Sequence, residues 1–148
     1  MTKLLVIAWG NPSRGDDALG PEFLAAVEAI EPPAGCTVDF VTDFQLQPEH
    51  ALDLVGYDRV LFVDASLAAG EGAFSFVEIE PAIDATFTTH ALSPHAVLAT
   101  YQRIFDQAPP AASVLAIRGE RFELGDPITA SGRANLAAAI AFYRTLLQ

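Results

Sequence analysis

Five short apolar runs, rich in β-branched residues and bounded by glycine, proline or aspartate, punctuate the chain at 4–9, 37–41, 60–63, 73–79 and 114–117. Runs of this length and composition predict strands. Those at 4–9 and 60–63 are apolar without interruption, as in strands covered on both faces. The run Phe74-Ser75-Phe76-Val77-Glu78-Ile79-Glu80 instead alternates polar and apolar residues and fits an edge strand. Between the runs the apolar spacing becomes helical. Phe23, Val27 and Ile30 share a face, as do Val97, Tyr101, Ile104 and Phe105, and then Leu136, Ile140, Tyr143 and Leu147. Pro48 and Pro94 suit the first position of a helix, which predicts a short helix from Pro48 and makes Gln47 and Ser93 the expected N-caps. Strand and helix alternate, so the expected fold is α/β: three layers, α/β/α, around a mostly parallel five-stranded sheet with one antiparallel edge strand.

The length, 148 residues, suits a single domain over 1–148 that buries a sizeable core without disulfides or structural metal. No internal repeat or low-complexity tract is present, and the Pro-Pro pairs at 32–33 and 109–110 read as turns. The one cysteine, Cys36, excludes an intramolecular disulfide and a cysteine-based zinc cluster; opening a strand, it reads as a small buried hydrophobe. The first apolar run is too short to span a membrane and lacks a small-residue cleavage site, so a cytoplasmic protein with no membrane partner is expected. Eight basic residues against nineteen acidic ones leave a formal charge of −11. That charge repels nucleic acid and anionic lipid, so no nucleic-acid partner is expected. A monomer is the expected state.

Three groups of polar residues fall where the chain leaves a strand or enters a helix, on what should be one edge of the sheet. Asp16 and Asp17 sit in the glycine-punctuated loop 10–20 after the first strand, Asp64 closes the run Leu61-Phe62-Val63, and His95 is the second residue of the helix opened by Ser93-Pro94. Ligands of open α/β sheets bind beyond the carboxyl ends of the strands. Carboxylate oxygens and an imidazole converging there suit a divalent transition metal such as nickel, zinc, iron or manganese. The positive end of the helix dipole also favours the neutral imidazole that a metal requires. Each residue alone has an ordinary use: Asp16 or Asp17 can cap a helix starting near Pro21, Asp64 can form an Asx-turn, and His95 can be a solvated first-turn residue.

Other chemistries find less support. Gly10, Gly15 and Gly20 are five apart, matching neither a dinucleotide fingerprint nor a phosphate loop. No Gly-x-Ser-x-Gly elbow is present, and neither Ser66 nor Ser93 has a base partner in the sequence. His50, inside the helix predicted from Pro48, reads as a surface residue, and His90 as a neighbour supporting the His95 loop.

Taken in order, Gly10-Asn11, Asp16-Asp17 with Gly20, Val63-Asp64-Ala65 and Ser93-Pro94-His95 resemble the nickel–iron hydrogenase maturation endopeptidases over nearly the whole chain. The segment Asp43-Phe44-Gln45-Leu46-Gln47-Pro48-Glu49-His50 is similar to the branch serving cytoplasmic, NAD-linked bidirectional hydrogenases. The resemblance implies a cytosolic protease that removes a C-terminal extension from the precursor of the hydrogenase large subunit after nickel insertion. It carries the family's metal-contacting positions onto Asp17, Asp64 and His95, with Asp16 beside them as a supporting group or, like Asp17, a candidate base. The nickel is presented by the substrate, and another divalent metal is an allowed occupant of the isolated protein. Where the family often has a Gly-Gly-Thr-type turn after the second strand, this chain has Thr42-Asp43-Phe44, so the 42–47 loop is expected to meet the substrate differently. Two other functions stay open: a nickel-sensing assembly chaperone on the same fold that does not cut, and a general metal-dependent hydrolase.

Overall fold

The structure is a computed structural model; residues 1–67, 69–70, 72–83 and 92–148 are described. Five strands, β1 (Thr2–Trp9), β2 (Cys36–Asp43), β3 (Arg59–Ser66), β4 (Phe74–Ile79) and β5 (Ala111–Arg118), form one sheet in the order β2-β1-β3-β5-β4. All neighbours run parallel except β4, which pairs antiparallel with β5 at the edge. The expected mostly parallel sheet and its antiparallel edge strand are both present. The strands run longer than the apolar runs that marked them, because ladder hydrogen bonds continue into polar ends; Asp64, expected just past a strand, lies inside β3 opposite Ala116.

The period of two along each strand splits the core. Val6, Ala8, Leu61, Val63 and Leu115 face helices α1 (Leu19–Val27) and α4 (Ala130–Leu146). Leu5, Ile7, Val60 and Phe62 face α2 (His50–Asp53) and α3 (Pro94–Phe105). With helices on both faces, β1 and β3 are buried on both sides, which is why their sequences are continuously apolar. Phe23 packs edge-on against Tyr143 at 5.7 Å, joining α1 to α4. Trp9 meets Phe62 edge-on at 6.2 Å on the other face.

Local expectations divide by what the tertiary structure offers each residue. Ser93 does cap α3, its hydroxyl accepting the Ala96 N–H at 3.1 Å. Gln47 is not a cap: α2 is a single turn from His50 with Glu49 preceding it, and Pro48 lies in the turn before it. Ile104, placed with Val97 and Tyr101 by spacing, is 51% exposed, since only Val97, Tyr101 and Phe105 reach the sheet. Cys36 opens β2 as expected but is half-buried rather than buried.

Helix α1 and strand β1 approach as closely as a glycine allows: a Cβ on Gly20 would stand 2.4 Å from the Trp9 carbonyl oxygen. Gly20→Ala must therefore push the helix off the strand, and a loss of at least roughly 1–3 kcal/mol is expected. The midpoint of urea unfolding reads it.

Candidate active site

The chain enters β2 from α1 on one face and returns to β3 past α2 on the other, so the crevice between the carboxyl ends of β1 and β3 is the switch point of the sheet. That is where an open α/β sheet holds its ligand. From β1 the backbone turns at Gly10, whose φ of 147° and lack of a Cβ are both required: a Cβ there would lie 2.0 Å from the Asp17 carbonyl oxygen. The loop folds back through a 3-10 turn, Gly15–Ala18, and Asp17 Oδ2 accepts the Asn11 N–H at 2.8 Å. No side chain caps this turn or α1, so neither aspartate serves as the helix cap that each could have been.

The two adjacent aspartates have opposite fates. Asp16 is fully buried and points away from the crevice into the loop between β5 and α4. Its Oδ2 accepts the N–H of Glu120 at 2.7 Å and of Arg121 at 3.2 Å, while Oδ1 accepts the Thr129 N–H at 2.8 Å. The Thr129 hydroxyl, which lies 3.1 Å from Oδ1 and 2.9 Å from Oδ2, also caps α4 by accepting the Gly132 N–H at 2.9 Å. Burial by itself raises this carboxyl, but the hydrogen bonds together outweigh it and hold Asp16 below the usual carboxylate range. With both oxygens engaged, Asp16 is a fastener between loops and is unavailable as a base; its neighbour Asp17 keeps one oxygen without a hydrogen bond among the described residues.

Asp64 follows Val60 and Phe62 in the period of two, so its carboxylate is set on the apolar face beneath α3. It borders a cavity of about 660 Å³ whose walls include Trp9, Ile79 and Ala116, with Ser93 and His95 supplied by the start of α3. Burial, joined by the nearby charge of Asp17 and only partly offset by the Ala65 N–H that Oδ1 accepts at 2.8 Å, pushes Asp64 up to about 7. A carboxyl so displaced, in a cleft, is a candidate functional position. His95 is held by its backbone, whose carbonyl accepts the Ala82 N–H at 3.1 Å.

The structure thus brings Asp64 and His95 to one cavity and sets Asp17 close enough to act on Asp64 electrostatically, although Asp17 does not border that cavity. The donor set, two carboxylates each with an oxygen to spare and a first-turn imidazole, fits a divalent ion in kind. Among the described residues, however, no three acidic, histidine or cysteine side chains stand close enough together to hold a metal ion by themselves.

The reading of His50 as a surface residue was wrong. It is buried, its Nδ1 accepts the Gln47 N–H at 2.8 Å and its Nε2 faces Asp43 Oδ2 at 3.5 Å, so it braces the 42–47 loop instead of meeting solvent. That loop, with Thr42, Asp43 and the exposed Phe44, walls a second groove of about 410 Å³ beside Gly10 and Pro12. His90 lies outside the described residues. The walls contributed by Trp9 and by the end of β4 were not anticipated; the alternating 74–80 run was their only sequence signal.

No protein-family model and no curated sequence matches the chain. Its fold is nevertheless shared with hydrogenase maturation proteases of solved structure. The NiFe hydrogenase maturation protease HycI from Thermococcus kodakarensis KOD1 superposes with a TM-score of 0.74 at 16% identity, over 99% of this chain and 92% of that one. The hydrogenase maturating endopeptidase HybD from E. coli gives 0.73 at 19% identity, also over 99% and 92%. An endopeptidase from Escherichia coli gives 0.76 at 20% identity with the same coverage.

Proposed function

We propose that this protein is a hydrogenase maturation endopeptidase, removing the C-terminal extension from the nickel-loaded precursor of a nickel–iron hydrogenase large subunit. The observation that carries the reading is the convergence of Asp64 and His95 on one cavity at the switch point, with Asp17 next to it, in a fold shared over nearly its full length with such proteases. Asp17, Asp64 and His95 are assigned to contact the nickel that the precursor presents. Because the donors are hard oxygens and one imidazole, they add contacts without drawing nickel from softer thiolates. Hydrolysis adds water across the scissile amide, the proton of the attacking water passing to the departing amine. In this reading the protein works in the cytoplasm as a single chain; among the described residues no helix is long and apolar enough to cross a membrane.

Mass spectrometry of the nickel-loaded precursor, incubated with and without the protein, tests the proposal. Loss of a C-terminal peptide is expected, and is expected to vanish with Asp17→Ala, Asp64→Ala or His95→Ala. A precursor of unchanged mass held in a stable complex would make the protein an assembly chaperone instead. Cleavage of peptides that carry no nickel site would make it a general hydrolase.

A further inference from the structure

The chain has one tryptophan, Trp9, and it stands at the carboxyl end of β1. It follows Leu5 and Ile7 on the face covered by α2 and α3. The register that pairs Ala8 with Val63 brings the next residues of the two strands, Trp9 and Asp64, side by side on that face, and both border the cavity of about 660 Å³. Edge-on packing against Phe62 at 6.2 Å holds the ring, and Trp9 as a whole is only 9% exposed. Its indole N–H nevertheless makes no hydrogen bond among the described residues. Nor is that N–H sealed from solvent: the Tyr143 hydroxyl is the one fully enclosed, unpartnered side-chain polar atom among the described residues, so the Trp9 donor remains accessible to a molecule in the space its side chain borders.

An indole nitrogen donates and does not accept, so Trp9 has a single polar use, to meet an acceptor. In the free protein water serves. Once a partner covers the cavity and expels that water, the donor is left unpaired unless the partner brings an oxygen. The lining narrows what that oxygen is for. Its formally charged residues are Asp64, Glu78 and Glu80, and among the described residues no lysine or arginine contributes to it. Ser66 and Ser93 already have partners within the chain. Apart from His95, which is assigned to nickel, Trp9 is therefore the side-chain donor at hand for negative charge that arises on an oxygen beside Asp64.

We propose that Trp9 binds the scissile amide of the precursor, its indole N–H donating to the carbonyl oxygen; this rests on the endopeptidase function proposed for the same cavity. Water adds to the carbonyl carbon and the carbonyl electron pair moves onto that oxygen. The pair returns as the C–N bond breaks and the amine departs with a proton of the water. The indole keeps its own proton throughout, and its hydrogen bond strengthens while the oxygen is anionic, which is the condition for accelerating the step.

Trp9→Phe keeps an aromatic ring against Phe62 and removes the donor. With the nickel-loaded precursor as substrate it is expected to lower kcat roughly a hundredfold while KM changes by less than about threefold. A second measurement needs no change at Trp9 and decides the matter should Trp9→Phe fail to fold. With a single tryptophan, the isotope-labelled chain gives a single indole N–H resonance in proton–nitrogen spectra. It is followed in Asp64→Asn, in which slow cleavage preserves the complex. The resonance is expected to exchange readily with water in the unbound protein, and to move downfield and become protected from exchange when the nickel-loaded precursor is added. Where the parent cleaves the precursor, a Trp9→Phe kcat within about threefold of parental, a raised KM with kcat unchanged, or an indole resonance that neither moves nor gains protection overturns the role of Trp9 and leaves the endopeptidase function standing. Where the parent leaves the precursor whole, that function falls, and the role of Trp9 falls with it.

Discussion

Asp64→Asn is expected to make the protein more stable at neutral pH while reducing the proposed cleavage of a hydrogenase precursor by at least about a hundredfold. The two effects have one cause. Asp64 sits where an apolar strand face would ordinarily continue, and burial, followed by the charge of Asp17, lifts it from 3.8 to about 7. The folded state therefore keeps a proton that the unfolded chain gives up once pH exceeds about 3.8. Between that value and about 7 the native state binds more protons than the unfolded one, so this group's contribution falls as pH rises. The difference is at most about 4 kcal/mol, less whatever solvent in the cavity screens. Asparagine is isosteric, its carbonyl can still accept the Ala65 N–H, and it carries no charge to desolvate. Thermal unfolding of parent and variant should accordingly coincide near pH 4 and diverge towards pH 7, with the variant the more stable. A parent that matches or exceeds the variant at pH 7 would show that the carboxylate is at ease in its surroundings. Residues that cost stability where they stand are retained for chemistry, and loss of cleavage without loss of fold is the corresponding expectation for activity.

How far the sequence could be read depended on the range of the interactions involved. Unbroken apolar runs at 4–9 and 60–63 placed β1 and β3 at the centre because a strand covered on both faces can have no other composition. Ser93 was legible as a cap because its partner, the Ala96 N–H, is three residues away. The pair Asp16-Asp17 was not separable by local pattern; only the family resemblance set Asp17 in the site and Asp16 beside it. Its two carboxylates are equivalent in any local reading, and the groups that separate them, the amides of Glu120 and Thr129, lie 104 and 113 residues downstream. His50 failed for a related reason. Its place inside the helix predicted from Pro48 made it read as a surface residue, yet the helix is one turn long, and the Gln47 N–H together with Asp43 supplies the partners that permit burial. Of the candidate site, Asp64 and His95 were readable from their positions at strand and helix ends. The cavity between them was not, since it depends on the small side chain of Ala116 and on where β4 ends, and both are consequences of register.

Asp16→Ala should cost the most stability of any substitution near the site, roughly 3–5 kcal/mol, because both its oxygens are engaged in hydrogen bonds between loops. Removing the fully buried carboxylate leaves the amides of Glu120, Arg121 and Thr129 without their acceptor. It also frees the hydroxyl of Thr129 that caps α4. The packing is matched to the carboxylate: a Cβ on Gly132 would lie 2.6 Å from Asp16 Oδ1, and one on Gly119 would lie 2.9 Å from its Cβ. The loop carrying Asp17 is joined to the 119–129 segment by further bonds, Gly15 N–H to Asp126 O at 2.9 Å, Asp16 N–H to Arg121 O at 2.7 Å and Gly125 N–H to Ser13 O at 2.7 Å. Loosening one side must therefore displace the other, and cleavage should fall along with stability. Because the native carboxyl is held below its unfolded value of 3.8, the parent should keep this contribution above that pH and lose it as pH falls further; Asp16→Ala should show no such acid-dependent loss at this position. Urea unfolding of parent and variant at pH 7 measures the first effect and a pH series down to about 2 the second. Amide exchange at Glu120, Arg121 and Thr129 should report the opened loop directly. A destabilisation below about 1 kcal/mol with unchanged exchange at those three amides would show that the loops are held by packing, and that the first of the two aspartates is dispensable.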